Sequence, residues 1–221
     1  MIVAIDGPAA SGKSTTAKIV GSRLNFLYID TGAMYRAMAL KAFRSGVDYE
    51  DREGVASLLP ETVIVQVIDK DTGDTKTLLD GKDVSFDIRT PETSKGVTAV
   101  CEIDDVRTKL VELQREMAGK GNVILDGRDI GTVVFPDADF KFFMIADVDV
   151  RAQRRLKELV EKGIDADIDE VKRDIQRRDD RDSSRSNSPL KPADDSIMID
   201  TSVMTIQQQA DFIINRIKDG K

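Results

Sequence analysis

Lys13 stands where an apolar run, IVAI at residues 2–5, gives way through Asp6-Gly7-Pro8 to a helical pattern. A cation at the start of a helix faces the positive end of the dipole and is disfavoured there unless an anion lies between them. The residues around it supply the setting for one. Gly7-Pro8-Ala9-Ala10-Ser11-Gly12-Lys13-Ser14 matches G-x-x-x-x-G-K-S in full. Glycines let such a loop curl so that successive N–H groups point inward, and the helix end adds to their field. The motif predicts that Gly7, Pro8, Ala9, Ala10, Ser11, Gly12, Lys13, Ser14 and Thr15 bind the phosphates of ATP. Ser14 would offer its hydroxyl to Mg²⁺. By itself the loop leaves kinase, ATPase and GTPase open.

Other chemistry is bounded by what the chain lacks. It has no histidine and a single cysteine, Cys101, which removes Cys/His zinc sites, disulfide frameworks and Ser-His-Asp or Cys-His catalysis. A guanine-reading N-K-x-D segment is absent, since Asn187 is followed by Ser-Pro and Asn122 by Val-Ile. What remains is a set of arginines beside carboxylates: DTGAMYR ending at Arg36, Asp126-Gly127-Arg128-Asp129, and RRDDRDSSR from Arg177 to Arg185. The segment 172–185 holds six basic and four acidic side chains. On a helix, Arg178, Arg181 and Arg185 would share a face. That face reads either as a solvated surface laced with Arg–Asp pairs or as a clamp for a transferring phosphoryl group.

These residues need a frame to position them. Short apolar runs at 2–5, 26–29, 123–125, 140–146 and 197–199 read as strands. Helical patterns at 13–24, 33–45, 103–118, 149–162, 167–180 and 205–218 separate or follow them, the last opening on the capping-box spacing Thr205/Gln208. Strand–loop–helix–strand at these lengths is a βαβ unit, so the expected class is α/β with a parallel sheet. Acidic residues close several of the strands, which puts carboxylates at the edge where open α/β sheets bind ligands. Residues 62–84 break the rhythm. TVIVQVID, a DTGD turn and the extended TKTLLDGKDV read as an inserted antiparallel hairpin. The net charge of −7 over 221 residues argues against coating nucleic acid. No run is long enough to span a bilayer and no signal-peptide pattern opens the chain, so the expected location is cytoplasmic.

Taken together, IDGPAASGKST, IDTGAMYR, LDGRDIGTVVFPDA and RRDDRDSSR resemble, in order and over nearly the whole chain, the bacterial cytidylate kinase family. The resemblance implies a phosphate-loop NTPase fold: a five-stranded parallel sheet flanked by helices, a small antiparallel β insert and a helical lid. It implies one kinase domain over 1–221, with core 1–60, 91–147 and 186–221, insert about 61–90 and lid about 148–185. The implied activity is ATP- and Mg²⁺-dependent phosphorylation of CMP and dCMP, by a monomer. Carried over by motif, Arg36, Arg128 and Arg185 hold the acceptor phosphate, with Thr31 beside them. Thr98, Arg107 and Asp129 face cytosine, and Arg178 and Asp182 contact the ribose. A carboxylate accepting from the N4 amino group, with Arg donating to N3 or O2, suits cytosine and repels uracil. Of the lid arginines 151, 154 and 155, Arg154 or Arg155 would close over ATP, joining Lys13, Arg128 and Arg185 as catalytic groups. Asp126 or Asp30 would orient magnesium waters. Alternatives are a small kinase for UMP, AMP or a non-nucleotide acceptor such as shikimate, and a regulator that binds ATP without turnover.

Overall fold

The uninterrupted apolar run at the chain start makes β1 (Ile2–Asp6) a strand with both faces covered, and Val3, Ala4 and Ile5 are wholly shielded from solvent. The computed structural model describes residues 1–69, 74–119, 121–161 and 163–220. After β1 come α1 (Lys13–Leu24), β2 (Leu27–Asp30), α2 (Thr31–Arg44), α3 (Arg52–Ser57), β3 (Ile64–Ile68), β4 (Thr75–Leu79) and β5 (Lys82–Asp83). There follow α4 (Pro91–Cys101), α5 (Asp104–Ala118), β6 (Val123–Gly127), β7 (Phe140–Ile145), α6 (Val148–Glu161), α7 (Ile168–Ser184), β8 (Ile197–Asp200) and α8 (Ile206–Asp219).

The large sheet has five strands in the order β2-β6-β1-β7-β8. β1 runs parallel to β6, with Ile2 opposite Val123 and Asp6 opposite Gly127, and parallel to β7, with Asp6 opposite Phe143. β7 and β8 are likewise parallel. This is the α/β class with a parallel sheet that the pattern of runs predicts, and the five strands are those the resemblance implies. The strand order reverses beside β1, so the loop leaving its carboxyl end lies at the switch point where such sheets bind ligands.

The chain divides into two compact units, Met1–Tyr28 with Lys120–Lys221, and Ile29–Gly119. In the first, Val3, Ile5, Val20, Ile124, Phe142, Met144 and Ile213 form the core between sheet and helices α1 and α8. Full burial of each large apolar side chain contributes about 1.5–3 kcal/mol. The capping box at α8 is complete, with Thr205 accepting from the Gln208 amide and Gln208 returning the bond. The expected lid at 148–185 contains the helices α6 and α7. A small apolar cluster of Ala152, Val171 and Ile175 joins them, and Ala10 of the phosphate loop packs against it.

In the second unit α2 packs on α4, β4 and α5. The insert that the resemblance implies at about 61–90 lies within this unit, where β4 packs on α2. Helix α2 begins at Thr31, two residues before the expected Ala33, since the Asp30 carboxylate caps it by accepting from the Ala33 amide at 2.8 Å. Helix α4 was not expected: its few apolar residues and internal glycine hide the periodicity. Gly96 is needed there, as a Cβ would come within 2.2 Å of the Tyr49 ring. Thr90 caps α4 with Pro91 at its first turn.

The inserted sheet pairs β3 antiparallel with β4, Ile64 opposite Leu79 and Ile68 opposite Thr75, then β4 with β5. Asp71, Thr72 and Gly73 of the expected DTGD turn lie outside the described residues. TKTLLDGKDV is not one extended piece. Asp80 and Gly81, both with positive φ (51° and 79°), turn the chain between β4 and β5, the backbone that Asp-Gly favours in a two-residue hairpin turn. Gln66 points inward and acts as a strand in miniature. Its amide accepts from the Asp30 N–H at 3.0 Å and donates to the Asp30 carbonyl at 2.7 Å.

Candidate active site

The phosphate loop joins β1 to α1 and is shaped by its neighbours in the first unit. Gly7 has φ +148°, and a Cβ there would lie 2.1 Å from the Met144 carbonyl oxygen of β7, so no side chain fits. Three groups, Thr201 and Arg151 buried and Arg154 half-buried, then anchor the loop from outside. Thr201, just past β8, donates to the Ser11 carbonyl at 2.9 Å. Arg154 of α6 reaches the same carbonyl at 3.4 Å and the Thr201 carbonyl at 2.6 Å. Arg151, also on α6, donates to the Ala9 carbonyl at 3.3 Å, to the Ala146 carbonyl at 3.0 Å and to Asp179 of α7 at 2.6 Å. Below the loop, Thr16 donates to Gln209 of α8 at 2.8 Å.

Lys13 is 5% exposed. Its ammonium donates to the Pro8 carbonyl at 2.7 Å and lies 3.5 Å from Ser11 Oγ. Burial, followed by the nearby Arg128 and Arg178 cations, pulls its pKa down to about 7 against the opposing pull of Asp126 and Asp6. Such a lysine is a cation lacking an anion, and a polyphosphate in the loop would supply one. Ser14 Oγ donates to Asp126 Oδ2 at 2.7 Å, and the Tyr28 hydroxyl donates to Asp126 Oδ1 at 2.7 Å. Among the described residues no three His, Cys, Asp or Glu side chains gather to hold a metal. The hydroxyl–carboxylate pair suits Mg²⁺, a hard ion that keeps several waters and takes one or two protein oxygens beside phosphate. Asp30 is otherwise engaged, accepting from the Ala33 amide and, at 3.0 Å, from Arg89.

Beyond β6 the Asp-Gly-Arg-Asp segment enters a wide helical turn at Ile130–Val134, closed by bonds from Phe135 N to Ile130 O at 2.7 Å and from Val134 N to Asp129 O at 3.2 Å. Arg128 Nε donates to Asp182 Oδ2 of α7 at 2.7 Å. Burial opposes the charge on both, yet each overcomes it in the other: Arg128 is held further into its protonated range, and Asp182, with help from Arg178 and Arg185, is held below the ordinary carboxylate range. Asp129 is buried. Arg185 donates to the Ser188 carbonyl at 2.7 Å, while its Nε is buried without a partner. Asp179 Oδ1 and Thr132 Oγ1 share that condition. The phosphate loop, Lys13, Ser14, Asp126, Arg128, Asp129, Arg154, Arg178, Asp182 and Arg185 thus all belong to the first unit. Arg155 belongs to it too but turns outward to Glu158 at 3.0 Å, so Arg154 is the neighbour that reaches the loop.

The second unit carries the others. Thr31 is buried at the head of α2 and Arg36 donates to Ser94 at 2.9 Å. Thr98 is half-buried on α4. Arg107 is only 3% exposed, its guanidinium 5.7 Å from the Tyr35 ring centre and donating to the Cys101 carbonyl at 3.5 Å. A buried arginine stacked on an aromatic ring is a positioned group, not a solvated one. Sequence reasoning overlooked Thr201, Gln209, Asp6 and Asp179, and passed over Arg151. Thr201 and Gln209 lie in no local pattern, whereas the strand-end position of Asp6, the RRDDRDSSR segment for Asp179 and the arginine cluster 151, 154 and 155 could have drawn attention to the others.

Comparison with known proteins gives a consistent result. The family model described as cytidylate kinase matches residues 3–219. A curated cytidylate kinase of Lactobacillus johnsonii is 51% identical, covering 94% of this chain and 90% of its own length. That of Desulforamulus reducens is 48% identical over 99% of this chain and 97% of its own. That of Bacillus pumilus is 49% identical over 96% and 94%. Among solved structures, an uncharacterized protein from Eubacterium ventriosum aligns with a TM-score of 0.55 at 15% identity, covering 99% of this chain and 98% of that one. At that identity the likeness concerns fold alone.

Proposed function

The chain belongs to the cytidylate kinase family, and from that premise we propose that it transfers the γ-phosphoryl group of ATP to CMP and dCMP, yielding the diphosphates. The observation that carries the reading is the pairing, within one unit, of a buried, anion-less Lys13 in the phosphate loop with an Arg128 already braced by Asp182. Lys13 and the loop amides receive ATP; Arg128 and Arg185 in the first unit, and Arg36 and Thr31 in the second, are each assigned to the acceptor phosphate by their family motifs. Asp129, Thr98 and Arg107 are assigned to cytosine, and Arg178 with Asp182 to the ribose. Arg154 supports the loop under ATP. Ser14 and Asp126 would hold Mg²⁺, which when bound neutralises charge on the phosphate oxygens.

No general base is called for. Phosphoryl transfer of this type is positioning plus charge stabilisation, and the attacking acceptor phosphate is already anionic. Lys13 and the arginines hold donor and acceptor in line, while helices α6 and α7, docked on the loop through Ala10 and Arg151, help exclude water. Among the described residues no helix is long and apolar enough to cross a membrane. The reading includes a monomer working in the cytoplasm, without a nucleic-acid partner.

The test is ADP production from ATP and Mg²⁺ with CMP, dCMP, UMP, AMP or no acceptor, run side by side. Stimulation by CMP and dCMP well above UMP and AMP is expected. Equal or absent stimulation by all four overturns the reading.

A further inference from the structure

Asp6 is the last residue of β1, and it meets the segment after β6 twice. Its backbone stands opposite Gly127 in the sheet register. Its carboxylate accepts from the Ile130 amide at 2.9 Å and from the Gly131 amide at 2.8 Å. The two residues between those attachments are Arg128 and Asp129. One residue, by its backbone at one end and its carboxylate at the other, therefore closes both ends of the two-residue step that carries the arginine assigned to the acceptor phosphate and the carboxylate assigned to the base. The contacts join residues more than a hundred positions apart, in a place only 5% exposed.

A carboxylate in such a place is costly, and burial raises the Asp6 pKa to about 7, with Asp129 adding to the effect and the two amides and Lys13 opposing it. An apolar residue would be the cheaper occupant of a strand end that served packing alone. Two convergent acceptor bonds to successive amides, on the other hand, are what a carboxylate does best. They fix the backbone just after Asp129, whose φ of −144° and ψ of 23° lie outside regular helix and strand.

We propose that Asp6 is a positioning residue for acceptor recognition: it clamps the Arg128–Asp129 step so that the Asp129 carboxylate meets the base in one orientation. The inference rests on the reading above, in which Asp129 faces cytosine. Asp6 touches no substrate; it acts through Asp129, and base selectivity is the property it controls.

Two measurements separate the clamp from that reading. In the ¹⁵N-labelled full-length protein without ligand, the Ile130 and Gly131 amides should exchange as slowly as those of β1. Fast exchange at both overturns the clamp without any variant having to fold. Steady-state kinetics with CMP and UMP are then compared for wild type, Asp6→Asn, Asp129→Asn and the double variant. Asp6→Asn should raise the CMP KM about tenfold, leave the ATP KM within about twofold, and lower the CMP-over-UMP ratio of kcat/KM about tenfold, the scale of one lost charge-assisted hydrogen bond. In the Asp129→Asn background the same change should alter that ratio less than about twofold. Equal losses for CMP and UMP, or losses that simply add to those of Asp129→Asn, assign Asp6 a structural role and overturn the proposal. A wild type that does not prefer CMP overturns the assignment of Asp129 to cytosine, and with it the selectivity role, while the exchange data still decide whether the clamp exists.

Discussion

Lys13, buried, and Arg128, partly buried, are cations of the same unit; burial opposes the charge on both, and their neighbours decide opposite outcomes. Lys13 is surrounded by carbonyl and hydroxyl oxygens and by two arginines, so its charge is only partly compensated and its pKa falls to about 7. Arg128 has Asp182 at 2.7 Å and is stabilised as a cation. The difference is one of division of labour. On the proposed reading, the group assigned to the polyphosphate is left short of negative charge, so that the ligand would complete it. A group that must present donors at a fixed angle is given its counter-charge within the protein, where the planar guanidinium can be held by one edge and free at another. Arg155, half-buried and paired with the exposed Glu158, is a third type, whose charge is met at the surface.

The comparison breaks most severely at Lys13. Lys13→Met should lower kcat by about 100-fold or more, since the group braces charge that develops only in transfer, and single-turnover ADP formation measures the loss. The same substitution should stabilise the protein without ligand at pH 7 and below. A lysine whose folded pKa lies below its ordinary 10.5 burdens the fold fully below about pH 7, and the burden fades as pH rises towards 10.5. Urea unfolding should therefore favour Lys13→Met at pH 6 and show the advantage shrinking by pH 10; a constant advantage would mean the methionine packs better and the lysine carried no charge penalty.

Removing the counter-charge of Arg128 is the next test in size. Asp182→Ala leaves a partly buried guanidinium without its carboxylate and should cost about 2–3 kcal/mol of stability, read from thermal unfolding, together with a raised CMP KM. The pair also carries a pH dependence of the same sense as that of Lys13, stability rising with pH, but in the acid range and through a stabilising contribution. Asp182 is held below its ordinary pKa, so its contribution is present above that ordinary value of 3.8 and is lost as pH falls through the depressed one.

A smaller change sharpens the role of the loop's outer supports. Thr201→Val removes the hydroxyl that bonds the Ser11 carbonyl and should destabilise by about 1–2 kcal/mol, with the ATP KM rising and the CMP KM unmoved. The smallest effect belongs to the exposed pair: Arg155→Ala should shift stability by no more than about 0.5 kcal/mol, and Arg154→Ala should raise the ATP KM more than Arg155→Ala does. If Arg155→Ala proved the more damaging to kcat, Arg155 would leave Glu158 during turnover and be the arginine that meets ATP.

What could be read without coordinates was chemistry carried by neighbouring residues. The phosphate loop is contiguous, and its glycines, lysine and serine act through backbone curvature that eight residues set among themselves. Capping at Thr205, the helix from Lys13 to Leu24 and the period-free strands are equally local. Boundaries failed where a local signal was faint or broken: Asp30 starts α2 early through its side chain, Asp80-Gly81 turns a segment that looked continuous, and α4 hides behind Gly96.

The tertiary structure alone decided which charges meet. Ser14 and Asp126 are 112 residues apart, Arg128 and Asp182 are 54 apart, and Asp6 and Ile130 are 124 apart. A sequence displays each of these side chains but not its partner, because the pairing is imposed by strand order and helix packing at distances where no periodicity survives. It is the partner, more than the residue type, that made Lys13 an incomplete cation, Arg128 a braced one, Arg107 a buried one and Arg155 one paired at the surface.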